Sequence, residues 1–399
     1  VIKMREFDVI IVGAGPAGLR AADKLAKAKL SVLCLDKKQE IGVPKRCAEG
    51  LGLGWFKRLG LKPDPSWAVQ EIRGAALYAP SGKMVEMRFP ETNGYVLERR
   101  VFEKYLAAQA AENGALIKTK ADAFEFERAG GKVNVKVREG SEVVEYSAKL
   151  IFACDGVETL TARRLGVNTT MPLADYDSGY QYEMANIDFE NTDLINIFFG
   201  TEIAPRGYLW IFPKGEHQAN VGIGIGGTNE KTAKYYLDKF IETQPGLKKG
   251  SIIEVNCGCV PVGAFLEDMT ADNLLIAGDA AHQVNPIHGG GIGLAMEGAD
   301  IASDVAIKAF KENDFSHDFL KQYNGLWYEA RGNKLKAILK KRHMFENLHD
   351  KDFETLAANI SGDDVMKLSA GDLVETAKVV TKKLIRSPGL VKVMLKYLK

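Results

Sequence analysis

The chain is poor in cysteine, has no excess of charge of either sign, and lacks any long apolar run. Its five cysteines (Cys34, Cys47, Cys154, Cys257 and Cys259) are too few, and odd in number, for a disulfide scaffold; they suit a reducing compartment. Lys and Arg total 53 against 52 Asp and Glu, a net charge of +1, which argues against a nucleic-acid partner. No uninterrupted apolar segment is long enough to span a bilayer. No secretory leader is expected, because Asp8 and a strand-like run begin almost at once. These absences predict a cytoplasmic protein, at most peripheral at the inner face of the cell membrane. Cys257-Gly-Cys259 has no second pair or neighbouring histidine to complete a metal site, so strand cysteines and no metal are expected. Neither repeats nor low-complexity segments occur.

What the chain does have is glycine in two informative places. Near the start stands Asp8-Val-Ile-Ile-Val-Gly13-Ala-Gly15-Pro-Ala-Gly18. The apolar run at 9–12 reads as a strand covered on both faces, and 17–27 as a helix. Gly13 permits a tight turn, Gly15 lets backbone amides approach a pyrophosphate, and Gly18 lets helix and strand pack closely. The helix start adds partial positive charge for the phosphates. A second strand, 31–35, ends on Asp36, which can accept hydrogen bonds from a ribose diol.

Much later comes Asn273-Leu-Leu-Ile-Ala-Gly278-Asp279, then Pro286-Ile-His288-Gly289-Gly290-Gly291-Ile292 and a helix over about 292–310. Asp279, at a strand-to-helix junction, can bond a ribityl hydroxyl; a helix N-cap role alone is the bland alternative. The amides of Gly290, Gly291 and Ile292 can meet the polar edge of a flavin and stabilise negative charge on it. Together the two segments fit FAD held across one domain. Gly222-Ile-Gly224-Ile-Gly-Gly227 imitates the first motif but lacks a following strand that ends on an acid. It reads as glycines in an antiparallel strand, which leaves no dedicated nicotinamide domain.

Aromatic residues crowd 176–212 with strand-like alternation, which suggests an inserted sheet. The expected organisation is a discontinuous FAD-binding domain (1–75, 95–175 and 270–330), an antiparallel-sheet substrate domain (76–94 and 176–269) and a helical C-terminal region (331–399). In the stretch 378–399, basic residues interleave with apolar ones and no acid occurs; this could rest on anionic lipid or be an ordinary solvated face.

The glycine motif, Cys154-Asp155-Gly156 and Gly278-Asp279 resemble the flavoproteins that include the aromatic hydroxylases, which implies a Rossmann-like α/β fold of that type. Pro44-Lys-Arg46-Cys47-Ala48-Glu49-Gly50, Tyr95-Val-Leu-Glu98-Arg99 and Gly207-Tyr208-Leu-Trp210-Ile-Phe212-Pro213-Lys214 narrow this. They resemble the geranylgeranyl reductase family, and most nearly its archaeal members that saturate membrane-lipid precursors. The resemblance implies FAD contacts at Gly15, Ala17, Gly18, Asp36, Cys47, Ala48, Gly50, Arg99, Ala123, Asp279, Gly291 and Ile292, with Ala123 in the less closely matching surroundings. At the position of His282 an arginine is common in relatives, and at that of His288 relatives often carry threonine.

The implied reaction is reduction of isolated double bonds in geranylgeranyl chains on a polyprenyl glycerol-phosphate lipid. The external electron donor is left open among ferredoxin, a deazaflavin and NAD(P)H. Tyr208, Trp210 and Phe212 share one strand face and could wall an isoprenoid chain, or simply pack on a core. Lys214 could meet a phosphate head group or be a solvated turn lysine. Cys47, flanked by Lys45 and Arg46, and His288 are the candidate catalytic groups. The alternatives are a flavin monooxygenase, a reductase of free geranylgeranyl diphosphate, and a flavin-binding protein without turnover.

Overall fold

The computed structural model describes residues 5–227, 229–365 and 393. Apart from Val393, the basic stretch 378–399 lies outside the described residues. The chain forms two compact units, each assembled from three segments: Val1–Lys45, Arg99–Pro172 and Val260–Leu339 in the first, and Arg46–Glu98, Leu173–Cys259 and Lys340–Lys399 in the second.

The first unit is built on an eight-stranded sheet. Strands Leu274–Ile276, Glu142–Ala153, Arg5–Val12, Val32–Leu35 and Leu116–Lys118 lie side by side and parallel. Val9, Ile10 and Ile11 have no exposed surface, as their unbroken apolar run requires of a strand covered on both faces. Strand Glu142–Ala153 does double duty: its first half pairs antiparallel with Lys132–Glu139, which in turn pairs with Ala121–Ala129.

Helix Pro16–Lys27 opens with proline in its first turn and buries Ala17, Leu19, Ala21, Ala22 and Leu25. It packs beside helix Ile292–Glu312, where Arg20 grips Asp300 with two hydrogen bonds of 2.7 and 2.9 Å. The two glycine segments, far apart in the sequence, therefore share one unit.

The second unit carries a seven-stranded sheet in the order Ser251–Pro261, Tyr176–Ala185, Gln218–Gly226, Tyr208–Pro213, Ile195–Phe198, Gly74–Tyr78 and Met84–Arg88. Only the join between Ile195–Phe198 and Gly74–Tyr78 is parallel among the registers described. One face is the core: Tyr182, Met184, Leu209, Ile211, Val221 and Ile223 pack with Leu237 and Phe240 of helix Ala233–Thr243. Thr232 caps that helix by accepting from the Tyr235 amide at 3.3 Å.

Gly222 and Gly224 lie in antiparallel strand Gln218–Gly226, not in a nucleotide loop. Residues 46–75 associate with this unit through a small sheet in which Gly94–Leu97 pairs with both Gly50–Gly52 and Ala68–Ile72. Helices Asn333–Phe345 and Asp350–Asn359 continue the chain beyond residue 331. Among the described residues, no helix is long and apolar enough to cross a membrane.

Candidate cofactor cradle and substrate face

In the first unit, Gly13 takes φ +101°, and a side chain there would collide with the Cys154 carbonyl. Gly18 lies against the Gly13 carbonyl, so it too has no room for a Cβ. Gly15 differs: a Cβ built there meets nothing within 4 Å. Open space thus stands in front of a helix start that has no side-chain cap and no acidic residue in its first turn. That is the shape and polarity an anionic pyrophosphate needs.

Asp36, almost wholly buried, accepts the Ala14 amide (2.9 Å) and the Lys38 amide (2.8 Å) through its two carboxylate oxygens. It braces the glycine loop, and the Lys38 ammonium stands 3.5 Å from its Oδ2. The Ala121 amide donates to the Asp36 carbonyl (2.9 Å), which sets the strand carrying Ala123 beside this corner. The Ala123 carbonyl itself accepts from Arg164 at 3.4 Å.

Gly278–Ala281 forms one 3-10 turn after strand Leu274–Ile276. A Cβ on Gly278 would stand 3.1 Å from that of Ala17, so the two motifs touch. Asp279 Oδ1 lies 3.2 Å from the position of a Cβ on Gly291, at the cap of helix Ile292–Glu312. Burial holds the Asp279 carboxyl above the usual carboxylate range, and the Arg99 guanidinium offsets only part of that rise.

Gln283, fully buried, pins the turn: its Oε1 accepts the Gly278 amide (2.8 Å) and its Nε2 donates to the Tyr323 hydroxyl (2.7 Å). Asp155 Oδ2 accepts the Thr161 amide (2.8 Å), while its buried Oδ1 has no protein partner, a polar atom suited to a bound group. His282 is buried, and its Nδ1 lies 3.1 Å from the Ala264 carbonyl. Burial lowers its pKa, consistent with a structural role. The Gly290 amide donates to His288 Nδ1 (3.1 Å), so of the three amides expected at a flavin edge this one is already engaged.

In the second unit, Tyr208, Trp210 and Phe212 stand half-buried on the sheet face opposite the core, while Leu209, Ile211 and Pro213 alternate into it. They therefore stand apart from the core cluster on the other face. Trp210 lies across Gly222: a Cβ there would come within 2.5 Å of the indole. The glycine pair on strand Gln218–Gly226 is a seat for that ring. In register, Trp210, Gly222 and Gln181 form one row across three strands. The indole reaches over the glycine to donate from Nε1 to Gln181 Oε1 (2.9 Å). Phe212 packs on Gly50, where a Cβ would lie 2.8 Å from the ring, so the Cys47 segment and the aromatic strand need one another. Burial, with Asp177 and Cys47 nearby, drives the Tyr208 phenol upward.

Lys214 corrects both sequence expectations. Its side chain is 3% exposed, and its ammonium meets Glu49 (3.1 Å), Glu98 (2.7 Å) and Glu183 (3.3 Å), so it is neither a solvated turn lysine nor presented to a head group. Sequence reasoning missed this cluster, as well as Gln181, Asn220 and Gln283. Cys257 and Cys259 are exposed on strand Ser251–Pro261.

An open helix start, an acid closing the second strand and an Asp-bearing turn against the same helix define an FAD-binding flavoprotein of the Rossmann-like type. FAD-binding domains match residues 8–92 and 261–316, and the geranylgeranyl reductase catalytic domain matches residues 175–260. Digeranylgeranylglycerophospholipid reductase 3 of Methanosphaera stadtmanae is 38% identical over 96% of this chain and 98% of its own. The corresponding reductase of Methanocaldococcus jannaschii is 39% identical, with 97% of each chain covered. A solved geranylgeranyl bacteriochlorophyll reductase-like structure from Thermoplasma acidophilum superposes with a TM-score of 0.88 at 35% identity, over 98% of this chain and 99% of that one. A flavin-dependent brominase shares the fold at TM-score 0.71 and 16% identity, covering 88% of this chain and 94% of its own. The chain belongs to the digeranylgeranylglycerophospholipid reductase family.

Proposed function

We propose that the chain is an FAD-dependent reductase that saturates isolated carbon–carbon double bonds of geranylgeranyl chains on a glycerophospholipid, the substrate class in its relatives' names. The observation that carries this reading is the Tyr208–Trp210–Phe212 wall seated on Gly222 and packed against Gly50 of the Cys47 turn. An apolar wall suits a long chain that offers shape rather than polar partners.

When bound and reduced, FAD supplies hydride. The start of helix Pro16–Lys27, with Gly15, Ala17 and Gly18, holds the pyrophosphate. Asp36 takes the ribose diol and Asp279 the ribityl chain. Gly291 and Ile292 offer amides to the ring's polar edge, and the Arg99 guanidinium favours the charged form of the Asp279 carboxyl, which burial raises. Ala123, Cys47, Ala48 and Gly50 are assigned as cofactor contacts by the family motifs alone.

An isolated alkene has no carbonyl to accept charge, so an acid must protonate one carbon as the new C–H bond forms at the other. Cys47 is the first candidate for that proton. His288 is the second; with Nδ1 accepting from Gly290, its proton resides on Nε2. Electrons come from an external donor: ferredoxin, a deazaflavin or NAD(P)H. The enzyme works in the cytoplasm, peripheral to the membrane that supplies its substrate.

The test is anaerobic reduction of the FAD-loaded protein, followed by addition of a geranylgeranylated glycerol phosphate lipid. Flavin reoxidation together with lipid mass rising by two hydrogens per step is the expected result. Reduced flavin that persists beside unchanged lipid but is consumed by oxygen would move the reading to a monooxygenase. Turnover of free geranylgeranyl diphosphate alone would change the substrate. No reoxidation by any polyprenyl acceptor would leave a flavin-binding protein without turnover.

A further inference from the structure

The turn Cys47–Glu49 is held by side chains from three neighbouring sheet segments. Gln181 Nε2 donates to the Cys47 carbonyl at 3.1 Å. Asn220 Nδ2 donates to the Ala48 carbonyl at 3.2 Å and to Glu49 Oε2 at 2.7 Å. Lys214 Nζ donates to the same Glu49 oxygen at 3.1 Å, and is itself fixed by Glu98 and Glu183. Glu183 is steadied in turn by Gln218 Nε2 at 2.7 Å.

Glu49 is fully buried and adopts φ +76°, a left-handed conformation that a side chain other than glycine adopts only under constraint. Its carboxylate is tied to Lys214 and Asn220, and its carbonyl accepts the Leu97 amide at 2.9 Å. The product of that conformation is specific: the Glu49 amide N–H points at Cys47 Sγ, 3.1 Å away. An N–H aimed at sulfur favours thiolate over thiol.

We propose that Lys214 and Asn220 are positioning residues that set the reactivity of Cys47 by holding Glu49 in its left-handed turn. The inference gains catalytic meaning from the proposed role of Cys47 as proton donor, since a thiol made more acidic gives up its proton more readily. Released from its anchor, Glu49 relaxes toward ordinary backbone angles, its amide leaves the sulfur, and the thiol holds its proton more tightly. The charged and titratable groups around Cys47 are Lys45 and Arg46 on its own segment, Glu49, the Lys214–Glu98–Glu183 cluster and the Tyr208 phenol.

The experiment follows iodoacetamide labelling of the FAD-loaded full chain against pH, resolved by peptide mass spectrometry, with exposed Cys257 and Cys259 as internal references. In Lys214→Met, Cys47 should label about tenfold more slowly near neutral pH, with its rate–pH curve displaced upward by about one unit. Lys214→Arg should recover most of the parent rate. Asn220→Ala, which strands no buried charge, should slow labelling severalfold, and the reference cysteines should not change in any variant.

A Cys47 profile that superimposes on the parent's in folded Lys214→Met overturns the proposal. If that variant does not fold, an unchanged profile in Asn220→Ala does so. The readout needs no lipid and therefore separates two failures. A displaced profile with full lipid turnover in Cys47→Ala would retain the positioning and remove Cys47 from the chemistry.

Discussion

Replacing Gly222 with alanine tests whether the sheet glycines seat Trp210. The new methyl would stand 2.5 Å from Cε2 and Cζ2 of the indole and 2.7 Å from Nε1, far inside van der Waals contact. Trp210 would have to lift, losing its 2.9 Å hydrogen bond to Gln181. Overpacking costs about 1–3 kcal/mol, and a lost hydrogen bond about 0.5–1.5 kcal/mol. The better strand propensity of alanine returns about 0.5–1 kcal/mol. The expected net destabilisation is about 1–3 kcal/mol.

Gly224→Ala is the control, because its Cβ would rest 3.6 Å from the same ring, an ordinary contact. It should cost less than about 0.5 kcal/mol, as a substitution outside the named destabilising mechanisms does. Urea titration gives the stabilities, and lipid-dependent flavin reoxidation gives the effect on the wall. In a Trp210→Phe background, the Gly222→Ala penalty should shrink, exposing the coupling. Equal costs for the two glycine substitutions, or a penalty that persists undiminished without the indole, would refute the seat.

Three further outcomes are expected. Gly15→Ala should fold with an unchanged apoprotein midpoint and yet bind FAD at least about tenfold more weakly, since its methyl meets only the pyrophosphate space, whereas Gly18→Ala should not accumulate as folded protein; thermal scans and FAD titration decide. Gln283→Leu leaves the Gly278 amide and the Tyr323 hydroxyl without their partner, and should cost about 2–4 kcal/mol in urea titration while loosening FAD. Burial raises the Asp177 carboxyl to about 6, with Arg342 opposing, so the folded state binds this proton more tightly than the unfolded chain does. The stability it contributes is present at low pH and is lost as pH rises from about 4 to about 6. Asp177→Asn should therefore gain on the parent by up to about 3 kcal/mol across that window, and a gap that does not vary with pH would contradict the assignment.

The FAD-binding fold was legible because its signals are local. A strand, three glycines and a helix occupy 8–27, and an acid closes the next strand; each residue's task follows from its immediate neighbours. The aromatic face was legible as a period-two pattern. Its seat was not, because the reason for Gly222 is an indole on a neighbouring strand, and cross-strand register is absent from a linear reading. Lys214 was misread for a related reason. A lysine after a strand resembles a solvated turn, and nothing near residue 214 announces carboxylates at 49, 98 and 183. The amide of Gly290 was expected to be available, and its capture by His288 depends on a side-chain orientation that sequence does not specify.

The contact between Ala17 and Gly278 also constrains the order in which the protein can be made. During synthesis the pyrophosphate loop emerges first, but its partner turn and the Leu274–Ile276 strand follow only after most of the 399 residues. The central strand Arg5–Val12 can recruit Val32–Leu35 early, yet the Asp279 side of the cradle does not exist until the intervening sheet has been translated. The two halves of the nucleotide-binding fold therefore meet only late in synthesis.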